Sequence, residues 1–174
     1  MPISVDTAVE AEPKVRASAL RRMARIGAPV AVALALTAGV TASANAAVVK
    51  INFATSTPDW SFGHSVSSAS VRLQFQSDGN LVLVNRANGA ALWATNTANQ
   101  GVTRVSFSAS QGTIVLYRGS TPYCLVGGHN AAMGGSAWVQ DDGNLVLYTP
   151  AHVAVWATNT VNEVKSNQSG CAGY

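Results

Sequence analysis

The sequence predicts an all-β domain assembled from three similar units, and three observations carry that prediction. A nine-residue polar segment, Gln76-Ser-Asp-Gly-Asn-Leu-Val-Leu-Val84, returns as Gln140-Asp-Asp-Gly-Asn-Leu-Val-Leu-Tyr148. A second segment, Leu92-Trp-Ala-Thr-Asn-Thr97, returns as Val155-Trp-Ala-Thr-Asn-Thr160. Apolar alternation broken by Asp-Gly, Asn-Gly, Gln-Gly and Gly-Gly pairs is easy to find, and helix periodicity is not.

The N-terminus reads as a targeting segment rather than as fold. Residues 1–25 are polar and carry Lys14, Arg16, Arg21, Arg22 and Arg25. Ile26–Val49 holds no charge, has an apolar centre at Val30–Leu36, and ends near the small-x-small triplet Ala44-Asn45-Ala46. That order predicts a secretory signal peptide over 1–46 and a secreted, extracellular product. A membrane anchor is the competing reading, since the uncharged run is long enough to span. Its many Ala, Ser and Thr residues gain little from lipid, which favours cleavage. Arg21-Arg22 opens a twin-arginine reading, but Met23-Ala24 continues it poorly, so general export is expected.

Cleavage after Ala46 changes the charge argument. The leader removes five of the eleven basic and three of the eight acidic residues, so the net charge falls from +3 to +1. No basic stripe remains to neutralise phosphates, which argues against a nucleic-acid partner. Of 174 residues, 128 remain, enough for one buried core. Two cysteines, Cys124 and Cys171, are expected to form one disulfide in an exported chain, the alternative being two buried thiols.

The strands follow from alternation. Val71, Leu73 and Phe75 alternate with Arg72, Gln74 and Gln76, and Val102–Phe107 is a looser case. Between the two good motif copies lies a worn one, Ala109-Ser-Gln-Gly-Thr-Ile-Val-Leu-Tyr117. The three starts, 76, 109 and 140, are 33 and 31 residues apart. One small sheet cannot bury its apolar face alone, so three units predict a closed, pseudo-threefold set of sheets around one core. Trp93 and Trp156 occupy matching points and should meet. Counting from Tyr117 puts Leu125 at that point in the middle unit. A Cys124–Cys171 bridge would tie the C-terminal tail over this weaker unit.

Within each good motif the leucines (Leu81 and Leu83; Leu145 and Leu147) take one parity and belong to the core. Gln76, Asp78, Asn80, Val82 and Val84 take the other, as do Gln140, Asp142, Asn144, Val146 and Tyr148. Gln, Asp and Asn offer mixed donors and acceptors, which suits sugar hydroxyls that both give and accept. A straight nine-residue strand would span about 26 Å, far more than one sugar ring, so Asp-Gly must turn the chain back. Asp-Gly-Asn is equally an ordinary hairpin signal, and duplication alone can preserve a turn. Chemistry alone leaves the two readings level.

Other chemistries are weaker. His64, His129 and His152 fall in expected turns without metal-ligand spacing. Asp141-Asp142-Gly143 loosely matches part of a calcium loop but lacks the later Glu. Only five carboxylates remain after cleavage; Asp141 and Asp142 are adjacent and face opposite sides, a poor glycosidase pair. No nucleophile motif is visible.

The Gln-x-Asp-x-Asn-x-Val-x-Tyr pattern, followed by Trp-Ala-Thr-Asn-Thr, resembles the bulb-type (monocot mannose-binding) lectin family. The resemblance covers roughly residues 52–162 and places a bulb-type lectin domain with a short C-terminal tail at 47–174. It implies a β-prism II fold: three four-stranded antiparallel sheets in pseudo-threefold arrangement, one mannose pocket per sheet, and no metal or other cofactor. It implies that Gln140, Asp142, Asn144 and Tyr148 hydrogen-bond the sugar while Val146 packs on its carbon face. In the first copy Val84 replaces Tyr, so Gln76, Asp78, Asn80 and Val82 are expected to bind more weakly. The middle copy has Ala109, Gln111 and Thr113 in the polar places and is expected to be inactive. Trp138 shares parity with Gln140 and is either a pocket border or packing.

The expected function is a secreted, non-enzymatic lectin for mannose or mannose-containing glycans, with no membrane span after cleavage. Four or five exposed hydrogen bonds at a net of about 0.5–1.5 kcal/mol each give roughly 4 kcal/mol, near millimolar affinity. Useful avidity then needs several pockets, in one chain or in a homodimer, which the sequence leaves open. Two readings from other classes stand beside it: a lectin-like bacteriocin or toxin that uses the domain for targeting, and a carbohydrate-active enzyme.

Overall fold

Three hairpins of similar sequence each become the body of a sheet, because each alternates apolar residues toward a shared centre. The computed structural model describes residues 48–53, 59–168 and 170–174. The expected signal peptide, 1–46, lies outside them. The strands are β1 (Val49–Asn52), β2 (Ser65–Ser67), β3 (Val71–Phe75), β4 (Leu81–Asn85), β5 (Ala91–Ala94) and β6 (Arg104–Ser108). They continue as β7 (Thr113–Arg118), β8 (Thr121–Val126), β9 (Ser136–Val139), β10 (Leu145–Tyr148), β11 (Ala154–Ala157) and β12 (Ala172–Gly173). Among the described residues one 3-10 turn spans Val161–Glu163.

They form three four-stranded sheets: β2-β3-β4-β5, β12-β8-β7-β6 and β1-β9-β10-β11, called here the first, middle and last. All pairings are antiparallel. The predicted alternation holds in β3, where Val71, Leu73 and Phe75 are buried and Arg72 is exposed. The motif leucines are fully buried, as are their middle-sheet counterparts Ile114 and Leu116. Phe53, Trp60, Phe75 and Phe107 join them in one cluster.

The three hairpins share one irregularity. The register shifts between Leu83 and Val84, between Leu116 and Tyr117, and between Leu147 and Tyr148. A bulge re-aims the side chain it carries. Here it falls in every sheet at the last motif residue, so Val84, Tyr117 and Tyr148 are displaced equivalently.

The fourth strands break the threefold pattern. In the first and last sheets they add beside the opening strand of the hairpin, as β2 on β3 and β1 on β9. In the middle sheet β12 adds on the opposite edge, beside β8. The edge of β6 that this leaves is partly covered by Trp60, which exchanges backbone hydrogen bonds with Val105 at 2.7 and 3.0 Å.

Trp93 and Trp156 meet edge to face, with ring centroids 5.6 Å apart, as their matching places require. The middle unit corrects the expectation at Leu125. Trp93 is opposite Leu83 and Trp156 is opposite Leu147, but the residue opposite Leu116 is Cys124. The β7–β8 turn is shorter than its counterparts: Tyr117 faces Pro122, five residues on, whereas Val84 faces Ala91 and Tyr148 faces Ala154, seven and six residues on. Counting from the last sheet therefore overshoots by one. Cys124 takes the tryptophan place and is joined to Cys171 by a disulfide, with Cα atoms 5.6 Å apart. A bridge from the tail stands where the other units place an indole.

Candidate functional site

The two good motif copies fold into the same tight turn, between β3 and β4 and between β9 and β10. The backbone N–H of Gln76 donates to Asn80 O at 2.8 Å, and that of Gly79 donates to Gln76 O at 3.0 Å. The last copy repeats this with Gln140, Asn144 and Gly143 at 2.9 and 3.1 Å. One carboxylate oxygen of each aspartate closes the turn by accepting a backbone N–H, Asp78 from Asn80 and Asp142 from Asn144, both at 2.9 Å. Gly143 has φ +96°, and a Cβ there would lie 2.8 Å from Thr160 O. Only glycine fits both demands.

The Trp-Ala-Thr-Asn-Thr segment recurs because it braces the motif asparagine. Thr158 Oγ1 accepts the N–H of Leu145 at 3.0 Å and donates to Asn144 Oδ1 at 2.9 Å. The backbone N–H of Thr160 donates to the same Oδ1 at 3.3 Å, and Thr160 Oγ1 donates to Gly143 O at 2.6 Å. Thr95 and Thr97 hold Asn80 in the same way, at 3.0 and 3.1 Å. A backbone N–H can only donate, so the atom it meets must be the amide oxygen. The amide nitrogen is therefore turned away from the brace, and Asn144 Nδ2 has no hydrogen-bond partner among the described residues. The intervening Asn96 and Asn159 sit at φ 59° and 57°, a left-handed region that asparagine tolerates.

Two other members of the predicted set meet each other. Gln140 Nε2 donates to the Tyr148 hydroxyl at 3.3 Å. Val146 lies between Trp138 and Ala157 on neighbouring strands. Trp138 borders the set: its ring is 4.8 Å from that of Tyr148, and its Nε1 donates to Ser136 Oγ at 2.7 Å. Lys50 Nζ and the His152 ring also stand against Trp138, each 5.6 Å from it. Asp142 is exposed. Asp141 points elsewhere, accepting the N–H of Ala69, while Ser68 Oγ donates to Gln140 O at 3.1 Å. These two contacts tie the last motif turn to the unit of the first. Glu163, remote from the motifs in sequence, packs against Gly143 and accepts from Asn85. Among the described residues no group of His, Cys, Asp and Glu has a metal-binding arrangement.

The first turn keeps Gln76, Asp78 and Asn80 in place but is walled differently. Val82 lies between Gln74 and Ala94, and Val84 faces Arg72. A shallow groove of about 640 Å³ runs along Ser65, Arg72, Gln74, Gln76 and Asp78. In the middle sheet the same positions are closed. Thr113, in the asparagine place, donates to Val126 O. Leu125 stands beside Val115 where the other sheets have alanine. Tyr117 lies under the Arg104 guanidinium, 3.8 Å away, and Gln111 Nε2 donates to the hydroxyl of Tyr174 at 3.3 Å.

The bracing threonines, and Ser68 with Asp141, escape a reading of the motif alone. The identical spacing of Thr95 and Thr97 to Asn80, and of Thr158 and Thr160 to Asn144, is the signal that finds the first group.

Three four-stranded antiparallel sheets in this arrangement have counterparts among solved structures. No protein-family model matches the sequence, and no curated protein matches it. Among solved structures, a monomeric monocot mannose-binding lectin from Gastrodia elata is 26% identical with TM-score 0.53, covering 64% of this chain and 97% of its own. The Japanese Marasmius oreades lectin is 22% identical with TM-score 0.55, over 65% and 92%. The chain has the fold of the bulb-type lectins. A Mycobacterium smegmatis lectin described as a domain-swapped dimer is 33% identical, over 60% and 95%, with TM-score 0.34.

Proposed function

We propose that this chain is an exported, non-enzymatic carbohydrate-binding protein that takes mannose or mannose-containing glycans. Gln140, Asp142, Asn144, Val146 and Tyr148 form its main pocket, and Gln76, Asp78, Asn80 and Val82 form a second. The observation that carries this is the braced asparagine. Two threonines hold the Asn144 oxygen and leave its NH₂ as a fixed donor beside the Asp142 carboxylate. A donor and an acceptor fixed side by side suit one hydroxyl that gives and accepts at once. Holding them in advance lowers the ordering cost of binding. Val146 and Tyr148 supply the apolar surface a sugar ring needs. The leader-like pattern over 1–46 supports export, and the Gastrodia elata lectin, named for mannose binding, supports the sugar class.

A glycan array of the purified chain beside Asn144→Asp tests the proposal. The aspartate can still accept from Thr158 and Thr160 but loses both donors and adds charge next to Asp142. Mannose-type glycans should bind the unsubstituted chain and lose most of their signal on the variant. Equal binding of the same glycans by both proteins would remove Asn144 from the site. Digestion of the array sugars by the chain would overturn the non-enzymatic reading.

A further inference from the structure

We propose that the first pocket takes a sugar bearing an anionic substituent, held by Arg72, so that the chain carries two sugar specificities. This rests on the reading of the motif turns as sugar sites. Arg72 and Arg104 occupy the same register position in their sheets, opposite Val84 and Tyr117 respectively. Arg104 is satisfied: it lies on the Tyr117 ring and pairs with Asp59. Arg72 has neither partner. Valine replaces the ring, and among the described residues no carboxylate meets it. Among the described residues its side chain makes one hydrogen bond, from Nε to Gln74 Oε1 at 3.0 Å.

That bond also sets direction. Gln74 is two residues closer to the motif than Arg72, so the guanidinium is drawn toward Gln76. The groove runs from Arg72 past Gln74 to Gln76 and Asp78. Four residues of strand cover about 13 Å, longer than one sugar ring, and the arginine side chain takes up the difference. A ring placed on Gln76, Asp78 and Asn80 would present a substituent to the free fork of N–H groups. A carboxylate, phosphate or sulfate matches that fork in geometry and charge. The last sheet has Ser136 at this position, opposite Tyr148, and its nearest cation, Lys50, stands over the Trp138 ring instead. The loss of tyrosine at Val84 is then a change of preference, since it opens the space in which Arg72 is unpaired.

The test uses Asn144→Asp as background, so that the first pocket is read alone. Binding of methyl α-mannoside, mannose 6-phosphate and glucuronic acid is measured by titration at low and high salt. We expect one or both acidic sugars to bind about tenfold more tightly than the neutral one at low salt, with the gap closing as salt rises. The two acids distinguish an ester anion from a ring carboxylate. Adding Arg72→Gln should bring the acid-to-neutral ratio to about one, and Arg72→Lys should leave an intermediate ratio. A ratio near one before Arg72 is changed, or one that survives Arg72→Gln, overturns the proposal. So does a background protein that binds nothing while the unsubstituted chain binds methyl α-mannoside. If the unsubstituted chain binds none of the three, the sugar-site reading falls with it.

Discussion

Thr158 Oγ1 donates to Asn144 Oδ1 at 2.9 Å while accepting the N–H of Leu145, so one buried hydroxyl fixes both the motif amide and the start of β10. Thr158→Val keeps the shape and removes both bonds. Leaving the Leu145 N–H and the Asn144 oxygen short of partners should cost about 1–3 kcal/mol, read as a lower denaturation midpoint. Mannoside affinity should fall in parallel because the amide is free to rotate. Thr158→Ser should restore both. A valine variant of full stability and affinity would show that the brace is incidental.

Gly143→Ala places a methyl group 2.8 Å from Thr160 O at a φ of +96°. Strain and collision act together, so the loss should exceed about 1 kcal/mol and reach several. Gly89→Ala is the comparison: its φ of +73° is also positive, but nothing lies within 4 Å of the new Cβ. Its cost should be strain alone. Unfolding curves of the two variants separate collision from strain.

How much of this was legible in the sequence depends on what kind of information each feature needs. The sheets were, because Val71, Leu73 and Phe75 announce a buried face by alternation alone. The meeting of Trp93 with Trp156 was, because a duplicated segment places its copies equivalently. Cys124 was missed in favour of Leu125 because register depends on turn length and bulge position, and a one-residue difference moves a side chain to the other face. The opposite-edge placement of β12 was missed because Ala172-Gly173 is too short to show a pattern. Of the motif, residue types were legible, but the orientation of Asn144 was not, since it depends on Thr158 and Thr160 across a strand pair.

Val84→Tyr tests what the first pocket lost. Tyrosine there would face Arg72 as Tyr117 faces Arg104, and would supply the hydroxyl that Gln140 finds in Tyr148. Neutral mannoside affinity in the first pocket should rise about three- to tenfold, the worth of one hydrogen bond and some ring surface. Any preference for acidic sugars should shrink, because the ring stacks under the guanidinium. Titration in the Asn144→Asp background reads both changes.

The Cys124–Cys171 bridge closes a loop with a sequence separation of 47. Replacing both cysteines with alanine should cost about 4 kcal/mol by the chain-entropy argument. Mannoside affinity should hold at temperatures where the variant is folded, because Cys124 lies opposite Leu116 in the core and Cys171 in the tail. Hydrogen exchange should rise first at Ala172–Tyr174 and in β8. A variant as stable as the parent would mean that β12 holds its place without the bridge.

The pairing of β1 with β9 has a consequence in time. Val49 pairs with Val139 and Asn52 with Ser136, so a strand near the start of the described chain completes a sheet whose other three strands, β9–β11, come far later. The middle sheet likewise waits for Ala172 and Gly173. Of the three, only the first sheet is made of consecutive strands and can pair fully from its own stretch of chain. Closure over such separations carries its entropy cost before the contacts that offset it, the regime in which all-β domains fold over milliseconds to seconds. The order of assembly is thus written into the wiring: the first sheet earliest, the turn at Gln140–Asn144 beside β9 among the last parts to be framed.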